Sequence, residues 1–312
     1  MVTALIAHQA CLGHVTPDGH PERAARLDAV WRALKTEEFQ SLIWIDAPEA
    51  SRDELELAHS PGLVGLVLDE AAAAATRGFV GIDSDTVMSA GSAKAALRAA
   101  GAAIRAVDGV IAGEFANAFC AVRPPGHHAE RDRAMGFCLF NNVAVGALHA
   151  RKAHKLKRIA AIDFDVHHGN GTQDIFHDDP DLFYASTHQH PLYPGTGRIS
   201  ERGIAGNILN VPLPPGADGE ALRAALSDAI LPALRSFSPD LIFISAGFDG
   251  HRADPLAEMF LDEGDFHWAT AAICRVAADC CGGRVVSALE GGYDLAALAR
   301  SARAHVRALM EA

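Results

Sequence analysis

The chain has no surplus of positive charge. Its 27 Lys and Arg are outweighed by 39 Asp and Glu, giving a formal charge of -12. A phosphate backbone is gripped by a basic face, so nucleic acid is excluded as the main partner, while a neutral or basic substrate is not. Cys-x-x-Cys pairs are also missing. The six cysteines are Cys11, Cys120, Cys138, Cys274, Cys280 and Cys281, and the last two are adjacent, too close for an ordinary disulfide. Buried free thiols in a reducing compartment are expected. No apolar run reaches the length of a membrane span, so no membrane partner is expected. Met1–His8 lacks a charged segment followed by a long apolar core; no secretory signal is read there, and a cytoplasmic location is expected. Internal repeats and Pro/Ser-rich linkers are absent, so residues 1–312 read as a single domain, a length that large α/β folds reach without splitting.

What is present is a globular profile, 49% hydrophobic and 21% charged. Short apolar, β-rich runs recur at Ala4-Ala7, Leu42-Ile45, Ala118-Val122, Ile159-Ile162, Leu182-Ala185, Ile208-Val211, Leu241-Ser245 and Val285-Leu289. Most are too continuous for half-exposed strands and suit a parallel sheet covered on both faces. Helical patterns lie between many of them. Pro21 opens one, with Leu27, Val30, Trp31 and Leu34 on one face. Ser92 to Val107 is an Ala-rich second. Asp218 caps a third, with Leu222, Ala225, Leu226, Ala229 and Ile230 inward and Pro232 kinking or ending it. Phe266, Ala269, Ile273 and Ala277 mark the next, and Asp294 caps the last. Alternating strands and helices predict a doubly wound α/β sheet.

Active sites of such sheets lie outside the carboxyl ends of the strands. Four of the runs end in Gly and titratable residues. They lead into Arg123-Pro124-Pro125-Gly126-His127-His128, Asp163-Phe164-Asp165-Val166-His167-His168-Gly169-Asn170, Ala246-Gly247-Phe248-Asp249 and Glu290-Gly291-Gly292-Tyr293. Side chains alternate along a strand, so Asp165 and His167 are expected to point the same way and grip one divalent cation. With Asp249 they make an oxygen, nitrogen, oxygen set, and three protein ligands with an open position suit catalytic zinc. Two carboxylates offset the ion's charge, so water near it is acidified less than beside three neutral histidines. A separate general base is then needed, and His127-His128 supplies it. Tyr293, after two glycines, is placed to donate to an oxygen that gains negative charge.

Together these residues resemble the histone deacetylase superfamily, in its class II-like bacterial deacetylase branch related to acetylpolyamine amidohydrolases. The likeness runs through His20-Pro21-Glu22-Arg23, the 123–128 motif, Gly136-Phe137-Cys138-Leu139-Phe140-Asn141-Asn142, the 163–173 motif, Ser245-Ala246-Gly247-Phe248-Asp249 and Glu290-Gly291-Gly292-Tyr293. It implies an arginase/deacetylase-like three-layer α/β fold with a central eight-stranded parallel sheet, and a zinc-dependent hydrolase. By the same resemblance, Asp165, His167 and Asp249 hold Zn2+, with Fe2+ or Co2+ also acceptable to such a set. His127 and His128 form the acid/base pair, with Asp163 beside His127 and Asn170 beside His128, and Tyr293 polarises the carbonyl. A structural K+ is implied at Asp163, Asp165, His167, Ser186 and Thr187. A carboxylate beside His127 raises its pKa while a neutral amide beside His128 does not, which casts His128 as the neutral base.

The resemblance also implies a narrow channel. Phe137, after Gly136, and Tyr193 match its walls, and Asp83, with Asp85 as the near alternative, matches a rim carboxylate that holds the substrate backbone. Leu256 matches a rim position that is acidic in some polyamine-selective relatives; an apolar residue there favours acyl-lysine peptides or proteins over acetylated small amines. The ureohydrolases share this fold but use two manganese ions and need more carboxylates; Gly169 stands two after His167, and Phe248 precedes a single Asp249. A non-catalytic acyl-lysine binder predicts loss of Tyr293 or a histidine, and neither is missing. The sequence is compatible with an oligomer and assigns no role to His14, Asp18, His188 or His251.

Overall fold

The computed structural model describes residues 2–312. Its strands are β1 (Thr3–Ala7), β2 (Ile43–Asp46), β3 (Val80–Gly81), β4 (Val87–Met88), β5 (Asn117–Cys120), β6 (Ile159–Asp163), β7 (Leu182–Gln189), β8 (Ile208–Leu213), β9 (Leu241–Ala246) and β10 (Val285–Leu289). Eight of them form one sheet in the order β2-β1-β5-β10-β9-β6-β7-β8, every pairing parallel. These are the eight apolar runs of the sequence. β3 and β4 make a separate antiparallel pair. The inner strands are buried along their whole length, as continuous Val, Ile, Leu and Ala runs require in a sheet covered on both faces. Only edge strand β2 is largely exposed.

Helices over Ser92–Ala112 and Asn142–His154 pack together on one face of the sheet. Those over Ala24–Leu34, Glu263–Cys281 and Leu295–Met310 pack together on the other. Asp294 caps the last of these by accepting from Ala297 N, and its Leu298, Ala302 and Leu309 are buried. Burial of each such leucine stabilises the fold by roughly 1.5–3 kcal/mol. Asp218 likewise caps the helix at Gly219–Ala224. No helix among the described residues is long and apolar enough to cross a membrane.

Two helical expectations need correction. Pro21 does not open the first helix, which starts at Ala24 after an extended Arg23. The reason lies in Glu22, which turns wholly inward to meet Arg26 and Arg123 and so holds the preceding segment out of the helix. Pro232 does not end its helix either. Residues Ala225–Ile230 widen into a π turn, and the helix continues from Leu231 to Phe237. Pro232 falls in the first turn of the segment after the π turn, where its missing N–H is tolerated.

Candidate active site

The four strand ends singled out by the sequence are neighbours, because β5, β10, β9 and β6 are consecutive in the sheet. Parallel registry puts Asp163 beside Ser245 and Leu289 beside Ala246, so the loops that follow leave one edge together.

Strand pleating is not what aims Asp165 and His167. β6 stops at Asp163, and both residues lie in the loop beyond it. Hydrogen bonds hold that loop instead. Phe164 N donates to Ser245 O (3.2 Å), Asp165 N to Asp163 Oδ1 (3.0 Å) and Val166 N to Asp249 Oδ1 (3.0 Å). Gln189 N, at the end of β7, donates to Val166 O at 2.8 Å. The result brings ligand atoms of Asp165, His167 and Asp249 within 4.8 Å of one another. His167 Nδ1 lies 3.1 Å from Asp165 Oδ1 and 3.1 Å from Asp249 Oδ2. Both carboxylates are fully buried. Gly291 closes over them: its N–H donates to Asp165 Oδ2 at 2.8 Å, and a Cβ there would lie 1.9 Å from Asp249 Oδ2. Two buried carboxylates and an imidazole turned toward one point, with no room behind them, are a donor set that fits a borderline divalent cation.

The tandem histidines stand beside this trio. His127 Nδ1 donates to Asp163 Oδ2 at 3.0 Å, and His127 Nε2 is 3.9 Å from Asp165 Oδ1. Burial works to lower its pKa, but the charges of Asp165 and Asp163 outweigh that and lift it to about 10. His128 Nδ1 donates to Asn170 Oδ1 at 2.8 Å, while the Asn170 amide donates to Glu130 Oε1 at 2.7 Å. Burial, then the neighbouring His127 and His167, push the His128 pKa well below its ordinary value. Gly136 presses against the His128 ring with φ +58°, and a Cβ there would fall 2.5 Å from His128 Cδ2. The glycine is thus required by both conformation and space.

A channel of about 240 Å³ leads to this floor, lined by Asp85, His128, Gly136, Phe137, His167, Leu192, Tyr193, Leu256 and Tyr293. Tyr193 stands 5.1 Å from His128 edge to face, and Phe137 stands 6.0 Å from Tyr293, ring centre to ring centre. The carboxylate on the channel wall is Asp85 rather than Asp83. Asp83 Oδ1 turns back on its own loop, accepting from Asp85 N (3.1 Å) and Thr86 N (2.6 Å). Ser186 pairs with Asp163 across β6 and β7, with Thr187 following it, and the Ser186 hydroxyl meets His188 Nδ1 at 2.9 Å.

Sequence reasoning missed the groups that hold the loops. Glu290, fully buried, accepts from Gly126 N (2.7 Å) and His127 N (3.2 Å) and so ties the tandem-histidine loop to β10. Burial outweighs the pull of His127 and lifts its pKa to about 7. Arg26 donates to Gly292 O and Glu290 O at 2.5 Å each, and its guanidinium lies 4.8 Å over the Tyr293 ring. Asp254 accepts from Tyr293 N at 2.6 Å. The signal for Arg26 was its place beside Leu27 on the inward face of a helix, one turn after Glu22. Of the unassigned residues, His14 bonds Ser92 (2.7 Å), His188 also meets Gly197 O (3.0 Å) and His251 lies 3.4 Å from Glu263. Asp18 is exposed.

A covered eight-stranded parallel sheet with such a pocket at its carboxyl edge defines an arginase/deacetylase-type hydrolase. A histone deacetylase domain model matches residues 20–309. The chain is 42% identical over 316 residues to "Histone deacetylase 10, chloroplastic" of Oryza sativa subsp. japonica, covering 96% of this chain and 71% of that protein. It is 38% identical over 301 residues to a probable deacetylase of Archaeoglobus fulgidus, covering 95% and 82%. The crystal structure of the HDA15 HD domain superposes with a TM-score of 0.93 at 36% identity, over 99% of this chain and 88% of that one. The chain belongs to the histone deacetylase family, and it is a deacetylase-family hydrolase.

Proposed function

We propose that residues 1–312 form one deacetylase domain that removes an acetyl or other acyl group from the side-chain amine of lysine in peptides or proteins. The observation that carries this reading is the convergence of Asp165, His167 and Asp249 within 4.8 Å at the floor of an aromatic-walled channel. Those three residues would hold zinc, with iron(II) or cobalt(II) as chemically acceptable substitutes. Zinc, when bound, supplies Lewis acidity toward the amide carbonyl and the attacking water.

The chain's own residues do the rest. His128 carries its proton on Nδ1, toward Asn170, which leaves the Nε2 lone pair free. It takes the proton from the attacking water and gives it to the departing amine. His127, kept protonated by Asp163 and Asp165, contributes positive charge beside the reacting carbonyl. The Tyr293 phenol donates to the oxygen as negative charge develops there. Phe137 and Tyr193 flank an aliphatic stem and admit a neutral amide more readily than a hydrated ammonium. Gly136 leaves room for both the stem and the His128 ring. Asp85 at the mouth accepts from the substrate backbone. Asp163, Asp165, His167, Ser186 and Thr187 would hold K+ beneath the site, several of them through backbone carbonyls, and so fix the loop that bears the zinc ligands.

Leu256 favours acyl-lysine peptides over acetylpolyamines, because an apolar rim offers a polyamine cation no attraction. The test is a panel of acetyl-lysine peptides and N-acetylspermidine, assayed with metal-reconstituted protein. Higher kcat/KM on peptides is expected, and a strong polyamine preference would overturn the substrate choice. A chelator should abolish turnover and zinc should restore it; full activity in the chelated protein would overturn the chemistry.

A further inference from the structure

Outside the channel, among the described residues, one other group of His and carboxylate side chains converges closely enough to share an ion: Asp108, His149 and His154. Asp108 lies near the end of helix Ser92–Ala112, and the two histidines lie on helix Asn142–His154. Both helices end just before the first residues of strands, β5 and β6 respectively. The group therefore sits at the amino edge of the sheet, opposite the active site.

Its geometry is specific. His149 Nε2 lies 2.8 Å from Asp108 Oδ1, and His154 Nε2 lies 2.6 Å from the same oxygen. Two imidazoles from different turns of one helix thus aim the same ring nitrogen at one carboxylate of another helix. The His149 side chain is only 12% exposed, although the Asp108 carboxylate it meets is half-exposed, so the histidine side of the cluster is held by packing. Behind it, Glu54 Oε1 faces the other ring nitrogen, Nδ1, at 4.0 Å. At that distance Glu54 makes no hydrogen bond to the ring, but its charge favours the tautomer with the proton on Nδ1 and the Nε2 lone pair free for an ion, an outer support of the kind zinc-bound imidazoles use. Two nearby basic side chains are engaged elsewhere: Arg151 pairs with Asp179, and the Lys155 ammonium donates to Lys152 O at 2.8 Å. Tetrahedral zinc with bonds of about 2.0 Å keeps its ligand atoms about 3.3 Å apart. The present spacings reach that with small side-chain rotations.

We propose that Asp108, His149 and His154 form a second divalent-cation site that takes Zn2+ and fastens helix Asn142–His154 to helix Ser92–Ala112. The fourth position is left to water. Nitrogen-rich donors with a single carboxylate select zinc, cobalt or nickel over magnesium or calcium. The ion would act structurally, because it lies at the edge of the sheet opposite the catalytic floor.

The test is equilibrium dialysis of the full chain against Zn2+, with bound metal counted by atomic emission. Wild type is compared with His154→Ala and with the double variant His149→Gln/His154→Gln. His154 is half-buried at a helix end, so His154→Ala is expected to fold. The reading is a difference of one equivalent of zinc between wild type and each variant, whatever the active site retains. Zn2+ should raise the Tm of the wild type above that of His154→Ala by roughly 3 °C. Deacetylation by His154→Ala should stay within about twofold of wild type, since no catalytic group is touched. Equal zinc content in wild type and both variants would overturn the proposal, as would an identical zinc-induced Tm shift. Either result would mean that both Nε2–H groups simply donate to Asp108.

Discussion

Asn170 Oδ1 accepts the Nδ1 proton of His128 at 2.8 Å, whereas the neighbouring His127 gives its own to a carboxylate, Asp163, at 3.0 Å. A neutral amide cannot stabilise an imidazolium as a carboxylate does, so the tandem histidines are chemically unequal. His128→Ala should therefore lower kcat by about 10²–10⁴, the usual worth of a general base. His127→Ala should lower it less. Steady-state kinetics on an acetyl-lysine peptide, with zinc content checked in both variants, tests the order; the reverse order would reassign the base.

Gly291 leaves the carboxylates of Asp165 and Asp249 their space. A methyl group there would lie 1.9 Å from Asp249 Oδ2 and 2.6 Å from Asp165 Oδ2. Gly291→Ala should displace both, so that zinc bound at the active site falls to a small fraction of one equivalent while far-UV circular dichroism stays the same. Retention of a full equivalent at the active site would show that the trio tolerates the shift and that the close approach is incidental.

His305 gives the fold a pH dependence far from the channel. It is fully buried, with Nδ1 2.6 Å from Thr270 Oγ1 and Nε2 2.8 Å from Ser287 Oγ, and burial lowers its pKa to about 3. In the unfolded chain a histidine titrates near 6.5. Between those values the unfolded state holds the extra proton, so stability is complete above about pH 6.5 and falls as pH drops toward 3. The slope is about 1.4 kcal/mol per pH unit, or about 2 kcal/mol between pH 6.5 and 5. His305→Gln should make the urea-unfolding profile shallower by that amount over the same range. Parallel profiles for wild type and variant would mean that His305 does not carry the dependence.

The sheet was legible because its inner strands are buried on both faces, and burial on both faces writes itself as an unbroken apolar run. Asp218 and Asp294 were legible as caps because capping is local chemistry. Helix Asn142–His154 was not picked out: residues 142–147 are buried all round, and that erases the 3.6-residue stripe. The choice between Asp83 and Asp85 could not be read either. Two aspartates two apart differ only in which one the Thr86 amide captures, and that is decided by the turn. Arg26 and Glu290 were hidden for a related reason. Their partners are backbone carbonyls and N–H groups of distant loops and strand ends, and a sequence does not show which of these groups the fold will leave unpaired.

Leu256 lines the channel, and on the proposed function it is where a change of substrate choice is expected. It lies on the same channel as Asp85, Phe137 and Tyr193, and its N–H is fixed by Asp254 Oδ1 at 3.0 Å, so a replacement side chain starts from a defined position. Leu256→Glu would add a second carboxylate beside Asp85 and leave Tyr293 and both histidines untouched. A polyamine carries a second cation beyond its acylated end, whereas a peptide of neutral residues does not. At a half-exposed mouth such an added ion pair contributes about 1 kcal/mol, and somewhat more where the channel excludes water. The kcat/KM ratio of N-acetylspermidine to a neutral acetyl-lysine peptide should then rise about tenfold, with the gain shrinking at high salt. A ratio that does not move would mean that Leu256 sets the channel's shape but not its charge preference.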